Sequence, residues 1–524
     1  MIIELDISEL KNCDMTLADF LREQGVRLIL PCGGSGMCGK CRVRLMAEDK
    51  WVLACQTKMS MFNQSMIRAE IPDAWVAGTY ATKKSAYDRI LFRSDNAGNL
   101  SGDQINKYKK WSAATDLGST TIETAAVTPE GELIGTVRHE NPQRTYGADV
   151  LSRIKAASEG KIAASDMQRL AESTIQSELA ELADKYGLPS RPDTLAIAGN
   201  TTMEHLLAGD NVSPLGHAPF DPGDIGLRDI SNVFFSDDSK AYLLPGITAF
   251  VGGDILSGMY YLDMDRSPEY TLLLDLGTNG EMAFGNHDGF IVASVAAGPA
   301  FEAANISCGC AGVPGAISAV SFTGQRPHLT LIPWGLDTRG LAPGERMQAD
   351  MKLKVKRPTG LCGSGLVSAA AAMKKAGIID ETGTYTKDDW IRDGFPLWKG
   401  RGEEDIRLTQ DDIHELLMAK AAIAAGLEIL LDSVHEMPRR VYLAGGFGEG
   451  LSISDATEIG LFPESLKDVD IIPAGNTSLK GAVKFLSGEN EAAARMSRMQ
   501  ETSHEIRLGD DPRFKNLYIG NMKI

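Results

Sequence analysis

A small α+β unit ahead of a larger α/β part with a duplicated architecture is the fold class this sequence predicts. Three observations predict it. Cys32, Cys38, Cys41 and Cys55 crowd a glycine-rich stretch near the N-terminus. Behind them, an apolar strand pattern ending in Asp-Leu-Gly and a hydroxyl residue occurs twice, at Asp116 and at Asp275, about 160 residues apart. A chain of 524 residues is also too long for one ordinary domain, so three or four units are expected.

Composition sets the outer bounds. With 43% hydrophobic and 23% charged residues the chain reads as an ordinary globular protein. A net charge of −17 argues against a general nucleic-acid binder, which carries a basic face. No run of about 18 apolar residues occurs, so no membrane span is expected. The opening MIIELDISELKNCD has early acids and no signal-peptide pattern. Eight cysteines in so long a chain do not make a disulfide framework. A cytoplasmic location is the expectation, with no nucleic-acid or membrane partner.

Residues 1–78 form the first expected unit. MIIELDI alternates as a half-buried strand does, Thr16–Gln24 has helical apolar spacing, and CRVRL and MIRAEIP read as further strands. That order around a glycine loop suits a ferredoxin-like β-grasp unit. The cysteine spacing is five, two and thirteen intervening residues. Each iron of a 2Fe-2S cluster takes two thiolates, so four cysteines must converge. Gly33, Gly34, Gly36 and Gly39 allow the sharp turns this needs. A zinc knuckle is the competing reading, but zinc sites favour repeated C-x2-C pairs, and only Cys38 and Cys41 form one. Cys13 reads as a buried thiol and Trp51 as core, with a cover over the cluster as its alternative. The five-then-two spacing resembles that of vertebrate-type ferredoxins.

Residues 79–110 read as a solvated connector with a basic tone from Lys83, Lys84, Lys107, Lys109 and Lys110, with YDRILF a candidate short element. A flexible chain of that length would span on the order of 30 Å.

From Trp111 the pattern becomes WSAATDLGSTTIETAAV, and YTLLLDLGTNGEMAFG repeats it. In each, a turn between paired strands offers N–H groups and hydroxyls to a phosphate. The aspartate suits a hydrated Mg2+, which takes one or two carboxylates plus phosphate oxygens. In VYLAGGFGEGL a strand runs into Gly445-Gly446, where a flat adenosine could approach the backbone. In TGLCGSGLVSAAAAMKKAG, Gly363 and Gly365 precede an alanine-rich helix whose start attracts phosphate. An ordinary hairpin turn explains any one copy, but not four ordered pieces together. They resemble the acetate/sugar kinase–Hsc70–actin (ASKHA) ATPase superfamily, in which two ribonuclease-H-like lobes close on Mg-ATP. The phosphate loops match Asp116–Thr121 and Asp275–Glu281, and the adenosine motif matches Gly445–Gly448. The expected divisions are 111–205, a first lobe or middle domain, and 206–524, a large ATPase domain.

A ferredoxin domain ahead of such an ATPase resembles the reductive activators of corrinoid-dependent enzymes. The segments ENPQRTYGADVLSRI, LAIAGNTTMEHLLAG, AAGPAFEAANISCGCAG and GLFPESLKDVDIIPAGNTSLKGA match that family as well. The resemblance implies ATP-dependent reduction of a Co(II) corrinoid protein to Co(I), with a low-potential ferredoxin, flavodoxin or reductase as donor, and leaves a homodimer open. It implies a 2Fe-2S cluster on Cys32, Cys38, Cys41 and Cys55. It implies phosphate contacts from Gly118, Ser119, Thr120, Thr121, Gly277, Thr278, Asn279 and Gly363, and adenosine contacts from Gly445 and Gly446. Asp116 and Asp275 are candidate Mg2+ or water-orienting carboxylates, and Glu302 is a candidate base or water positioner, with a salt bridge as its alternative. Asp254 is a weaker candidate of the same kind. Cys308, Cys310 and Cys362 read as inert thiols, and His139 and His205 as structural. The family places a longer stretch before the fourth cysteine than the thirteen residues here, so RLMAEDKWVLAC reads as a shortened loop beside the cluster. An activator of 2-hydroxyacyl-CoA dehydratases, a redox-sensing small-molecule kinase and an actin-type filament protein are the alternatives.

Overall fold

In the computed structural model the described residues are 2–7, 15–24, 26, 28, 30, 41–48, 50–62, 66–71, 110–303, 305–332, 358–400 and 405–524. The expectations for Cys13, Cys32, Cys38 and the connector up to Lys109, including YDRILF, lie outside them. The described chain falls into two compact units, one of residues up to 71 with 110–254 and 482–489, the other of 255–481 with 490–524.

Within the first unit, strands β1 (Ile2–Asp6), β2 (Arg42–Leu45), β3 (Lys50–Leu53) and β4 (Met66–Glu70) form one sheet in the order β1-β4-β2-β3, with every pairing antiparallel. The helix Leu17–Glu23 starts where the sequence pattern places it. Thr16 accepts from Asp19 N and Asp19 returns a bond to Thr16 N, so two orphan donors of the first turn are satisfied. Leu5, Leu17, Leu21, Val43, Ile67 and Ala69 make a core of their own, into which Cys41 and Cys55 also pack. The stretch expected as a loop before Cys55 is instead a hairpin, with Arg44 opposite Trp51 and Leu45 opposite Lys50. Val43 and Leu45 face the core alternately and set its register.

A second sheet in this unit has the order β7-β6-β5-β8-β10-β9. Strands β5 (Ser112–Leu117), β6 (Thr121–Val127) and β7 (Leu133–Glu140) form an antiparallel meander. The 26-residue helix Lys161–Tyr186 follows, ending on Gly187 in the left-handed region. The chain then returns as β8 (Thr194–Gly199), parallel to β5. Short β9 (Arg228–Asp229) leads into β10 (Lys240–Leu243), which pairs parallel with β8. The division expected after residue 205 falls inside the helix Thr201–Ala208, and this sheet continues to Leu243, because β8 needs β10 to cover its free edge.

The other unit repeats the plan. Strands β11 (Thr271–Leu276), β12 (Gly280–Asn286) and β13 (Gly289–Val295) are the meander. An excursion supplies β14 (Ala316–Thr323), β15 (Arg326–Leu331), β16 (Gly360–Leu361), β17 (Phe395–Trp398) and β18 (Ile406–Leu408). Then β19 (Arg440–Ala444) lies parallel to β11, and β20 (Asp470–Gly475) parallel to β19. With β21 (Ser503–Glu505) the sheet order is β20-β19-β11-β12-β13-β21. In both sheets the third, second, first and fourth strands are thus neighbours, with one more strand, β10 or β20, lying parallel beside the fourth, the ribonuclease-H-like arrangement. The helix Gln410–Val434 covers the second sheet, burying Ile413, Leu416, Ile423, Leu427 and Leu430.

One buried polar chain crosses the first of these six-stranded sheets. Thr115 and Thr124 hydroxyls lie 2.9 Å apart, Thr124 donates to Glu178 at 2.6 Å, and His139 Nδ1 meets the other Glu178 oxygen at 3.0 Å. Burial pushes the Glu178 carboxyl up to about 7 against the pull of those bonds. The folded state therefore holds a proton that the unfolded chain releases near its ordinary value of 4.5. Stability should fall as pH rises through that window, by on the order of 3 kcal/mol, and level off above it. Glu178→Gln should flatten melting temperature against pH between 5 and 7.5 (roughly that window). An unchanged slope in the variant would remove Glu178 as its origin.

Candidate functional site

Of the four cysteines proposed as cluster ligands, Cys41 and Cys55 are described. Their sulfurs lie 3.2 Å apart, at 1% and 7% exposure. The β2–β3 hairpin brings them together, since its register continues outward through a bond from Ala54 N to Cys41 O at 2.9 Å. Two sulfurs at that separation can both reach one metal at about 2.3 Å. The residues present therefore fit one half of an iron–sulfur ligand set. Gln56 Nε2 lies 3.7 Å from Cys55 Sγ and donates to Cys55 O at 3.2 Å. Such a donor stabilises charge on a ligating sulfur. Gln56 carried no sequence signal beyond its place after the cysteine. Trp51, expected in the core, is 49% exposed, because its hairpin partner Arg44 sits on the same outward face.

The first candidate phosphate loop follows β5. Asp116 ends that strand between Glu123 on one side and Ala198 on the other. The turn Gly118–Thr120 is held from behind. Asn141 donates through Nδ2 to Gly118 O at 2.8 Å and through its backbone N to Thr120 O at 2.9 Å. Arg153 donates through Nη2 to Ser119 O and through Nε to Gly147 O at 3.0 Å. Asn200 Nδ2 donates to Ser119 Oγ at 3.0 Å. A Cβ at Gly118 would lie 2.8 Å from Thr121 O, so this turn closes only with glycine. Asn141, Arg153 and Asn200 lie within segments singled out in the sequence, but nothing local assigned them a role.

The second unit assembles the other candidates. Asp275 ends β11 opposite Glu281 and beside Ala444. Thr278 donates to Glu302 Oε1 at 2.8 Å, and Asn279 donates to Glu281 Oε1 at 3.2 Å. Gly277, Thr278, Asn279 and Glu302 therefore belong to one cluster, with Glu302 on the short turn Pro299–Glu302. Gly445 has φ +86°, and a Cβ there would lie 2.6 Å from Asp275 Oδ1. Gly446 has open space where its side chain would be. Gly363 and Gly365 do not precede their helix but lie in its first turn, Gly363–Lys375, because Cβ atoms there would strike the carbonyls of Phe301 and Ile317. Phe301 and Phe447 pack with ring centroids 5.0 Å apart, joining the Glu302 turn to the glycine turn.

Known proteins divide along the same lines. Residues 6–60 match the 2Fe-2S iron-sulfur cluster binding domain. Residues 111–267 match the RACo middle region, and 269–524 match the C-terminal domain of RACo, the ASKHA domain. The two RACo matches together run from residue 111 to residue 524. A relative named corrinoid activation enzyme RamQ, from Eubacterium limosum, is 26% identical over 99% of this chain and 97% of its own. A Co(II) methylated amine-specific corrinoid protein reductase from Methanosarcina barkeri is 27% identical over 63% of this chain and 62% of its own. The solved structure of a reductive activator for corrinoid, iron-sulfur protein is 27% identical, with TM-score 0.69, covering 99% of this chain and 96% of that one.

In the RACo middle region, Glu204 is fully buried. Burial and the Asp254 charge raise its carboxyl well above the usual range, while Gly199 N donates to it at 2.9 Å. Asp254 thus faces a carboxyl in its own unit. His205 meets Asp210 Oδ2 and Pro222 O, each at 2.7 Å, so it and His139 are engaged in structural bonds. In the RACo ASKHA domain, burial pushes the Cys308 and Cys310 thiols up to about 12, which keeps both protonated. Cys362 is buried and lies 3.2 Å from Ile317 O. Among the described residues no group of three His, Cys, Asp or Glu side chains could hold a metal ion, and no helix is long and apolar enough to cross a membrane.

Proposed function

We propose that this protein is an ATP-dependent reductive activator that transfers one electron to a corrinoid protein, converting Co(II) to Co(I) for methyl transfer. The observation that carries the reading is the presence, in one chain, of a buried cysteine pair 3.2 Å apart and two aspartate–glycine–hydroxyl hairpins on repeated sheets. The names borne by RamQ, the methylated-amine reductase and the corrinoid, iron-sulfur protein activator support the corrinoid partner.

Cys32, Cys38, Cys41 and Cys55 would hold the 2Fe-2S cluster, which when bound supplies one electron at a time. Gly118–Thr121 and Gly277–Asn279 bind phosphates of ATP. Asp116 and Asp275 would hold Mg2+ or its waters, and Glu302, fixed by the Thr278 hydroxyl, would position the attacking water. Gly445 and Gly446 lie under the adenosine, and Gly363 opens the helix that faces phosphate. ATP is needed because the Co(II)/Co(I) couple lies below the usual donors. For one electron each 59 mV is about tenfold, so a gap of roughly 200 mV disfavours transfer by a few thousandfold. ATP can offset this only by binding two states of the activator–corrinoid complex with different affinity.

The test mixes protein, a low-potential donor, Mg-ATP and candidate Co(II) corrinoid proteins without oxygen and follows the Co(I) absorption band. The band should appear with ATP and a matched partner. Equal rate and extent without ATP would reject the coupling, and no band with any candidate despite an intact cluster would reject the function.

A further inference from the structure

We propose that Asn200 is a positioning residue for the nucleotide phosphates, acting through Ser119; this rests on the nucleotide reading above. Both ends of one amide are committed. Met203 N, which can only donate, lies 3.0 Å from Asn200 Oδ1, so this oxygen caps the helix Thr201–Ala208. The other end, Nδ2, is then fixed as the donor that meets Ser119 Oγ at 3.0 Å. A serine hydroxyl has one proton and two lone pairs. With a lone pair taken by Asn200, its proton is left to point at an anion. Asn200 thus makes Ser119 a donor toward phosphate.

The surroundings work in the same direction. The carbonyls of Gly118, Ser119 and Thr120 are drawn back by Asn141 and Arg153. In a trans peptide the C=O and N–H point opposite ways. The amides of Ser119, Thr120 and Thr121 therefore point away from those carbonyls. The platform beneath Asn200 is rigid. Seven residues of its helix are buried, Thr201 Oγ1 donates to Thr248 O at 2.6 Å, and Glu204 anchors Gly199 N.

Asn200→Asp and Asn200→Ser separate the two ends, because Asp and Ser cap helices about as well as Asn but neither supplies the Nδ2 donor. Mg-ATP affinity would be measured by calorimetry on the full-length, cluster-loaded protein, alone and with Ser119→Ala. Apo melting temperature and cluster absorption serve as controls for folding. N200S should weaken binding several-fold and N200D about tenfold, since its carboxylate takes the Ser119 proton. In the S119A background the N200S penalty should vanish. A folded N200S or N200D that binds like wild type would overturn the inference, and so would an N200S penalty that persists with S119A. Wild-type protein that does not bind Mg-ATP would overturn the nucleotide reading itself and this inference with it.

Discussion

Cys55→Ala should leave a protein that binds Mg-ATP but has neither cluster absorption nor corrinoid reduction above background. Two irons need four thiolates, and three cannot hold them in the same geometry. Cys55 does not sit at the edge of its unit. It closes the β2–β3 hairpin 3.2 Å from Cys41, inside a core that Val43, Ala54 and Ile67 also share. Nucleotide binding should survive, because the cores of the two six-stranded sheets draw on other residues entirely. The check is anaerobic reconstitution with iron and sulfide, read by visible absorption and EPR, beside calorimetry with Mg-ATP. A variant with the full wild-type cluster spectrum would remove Cys55 from the ligand set.

Gly445→Ala should depress ATP hydrolysis by about a hundredfold, the scale of loss that a 1 Å misplacement of a catalytic group brings. The backbone at Gly445 has φ +86°, which costs an L-residue about 1–2 kcal/mol. The new methyl would also lie 2.6 Å from Asp275 Oδ1 and 3.1 Å from Leu276 O, so the carboxylate must move. Gly446→Ala is the control. Its Cβ meets nothing within 4 Å, so it should leave Asp275 and the melting temperature as they are, and any effect should fall on adenosine affinity alone. Phosphate release at wild-type rate from a folded G445A would mean Asp275 does not act where we place it.

Much of the architecture is legible in the sequence because it is written locally. The two hairpins appear as alternating apolar runs broken at Asp-Leu-Gly, and the Thr16 helix start is spelled out by its own capping residues. What the sequence hides depends on neighbours far along the chain. Asn200 reaches Ser119 across 81 positions because β8 returns parallel to β5, and no pattern near residue 200 contains that fact. Arg153 looks like an ordinary polar position on the helix Val150–Glu159, yet it is fully buried behind the phosphate turn. Trp51 misleads in the opposite sense, since large aromatics are usually inside and only strand register reveals that this one faces out. Gly363 and Gly365 read as preceding their helix because glycine weakens helices, whereas here they lie within its first turn and close carbonyls leave room for nothing larger.

The repeated sheet also bears on how such a protein could have specialised after duplication. Its fourth strand ends at Gly199 in one unit and runs into Gly445 in the other, and a Cβ at either position would meet the backbone of the first strand, Leu117 O at 2.9 Å and Leu276 O at 3.1 Å. That joint leaves little freedom in either unit. One residue later the copies part company: Asn200 is a side chain that grips a loop, and Gly446 is a gap. Either choice leaves the strand pairing before it intact. A library randomised at 199 and 445 should collapse back to glycine. One randomised at 200 and 446 should keep many folded members and sort them by what they bind.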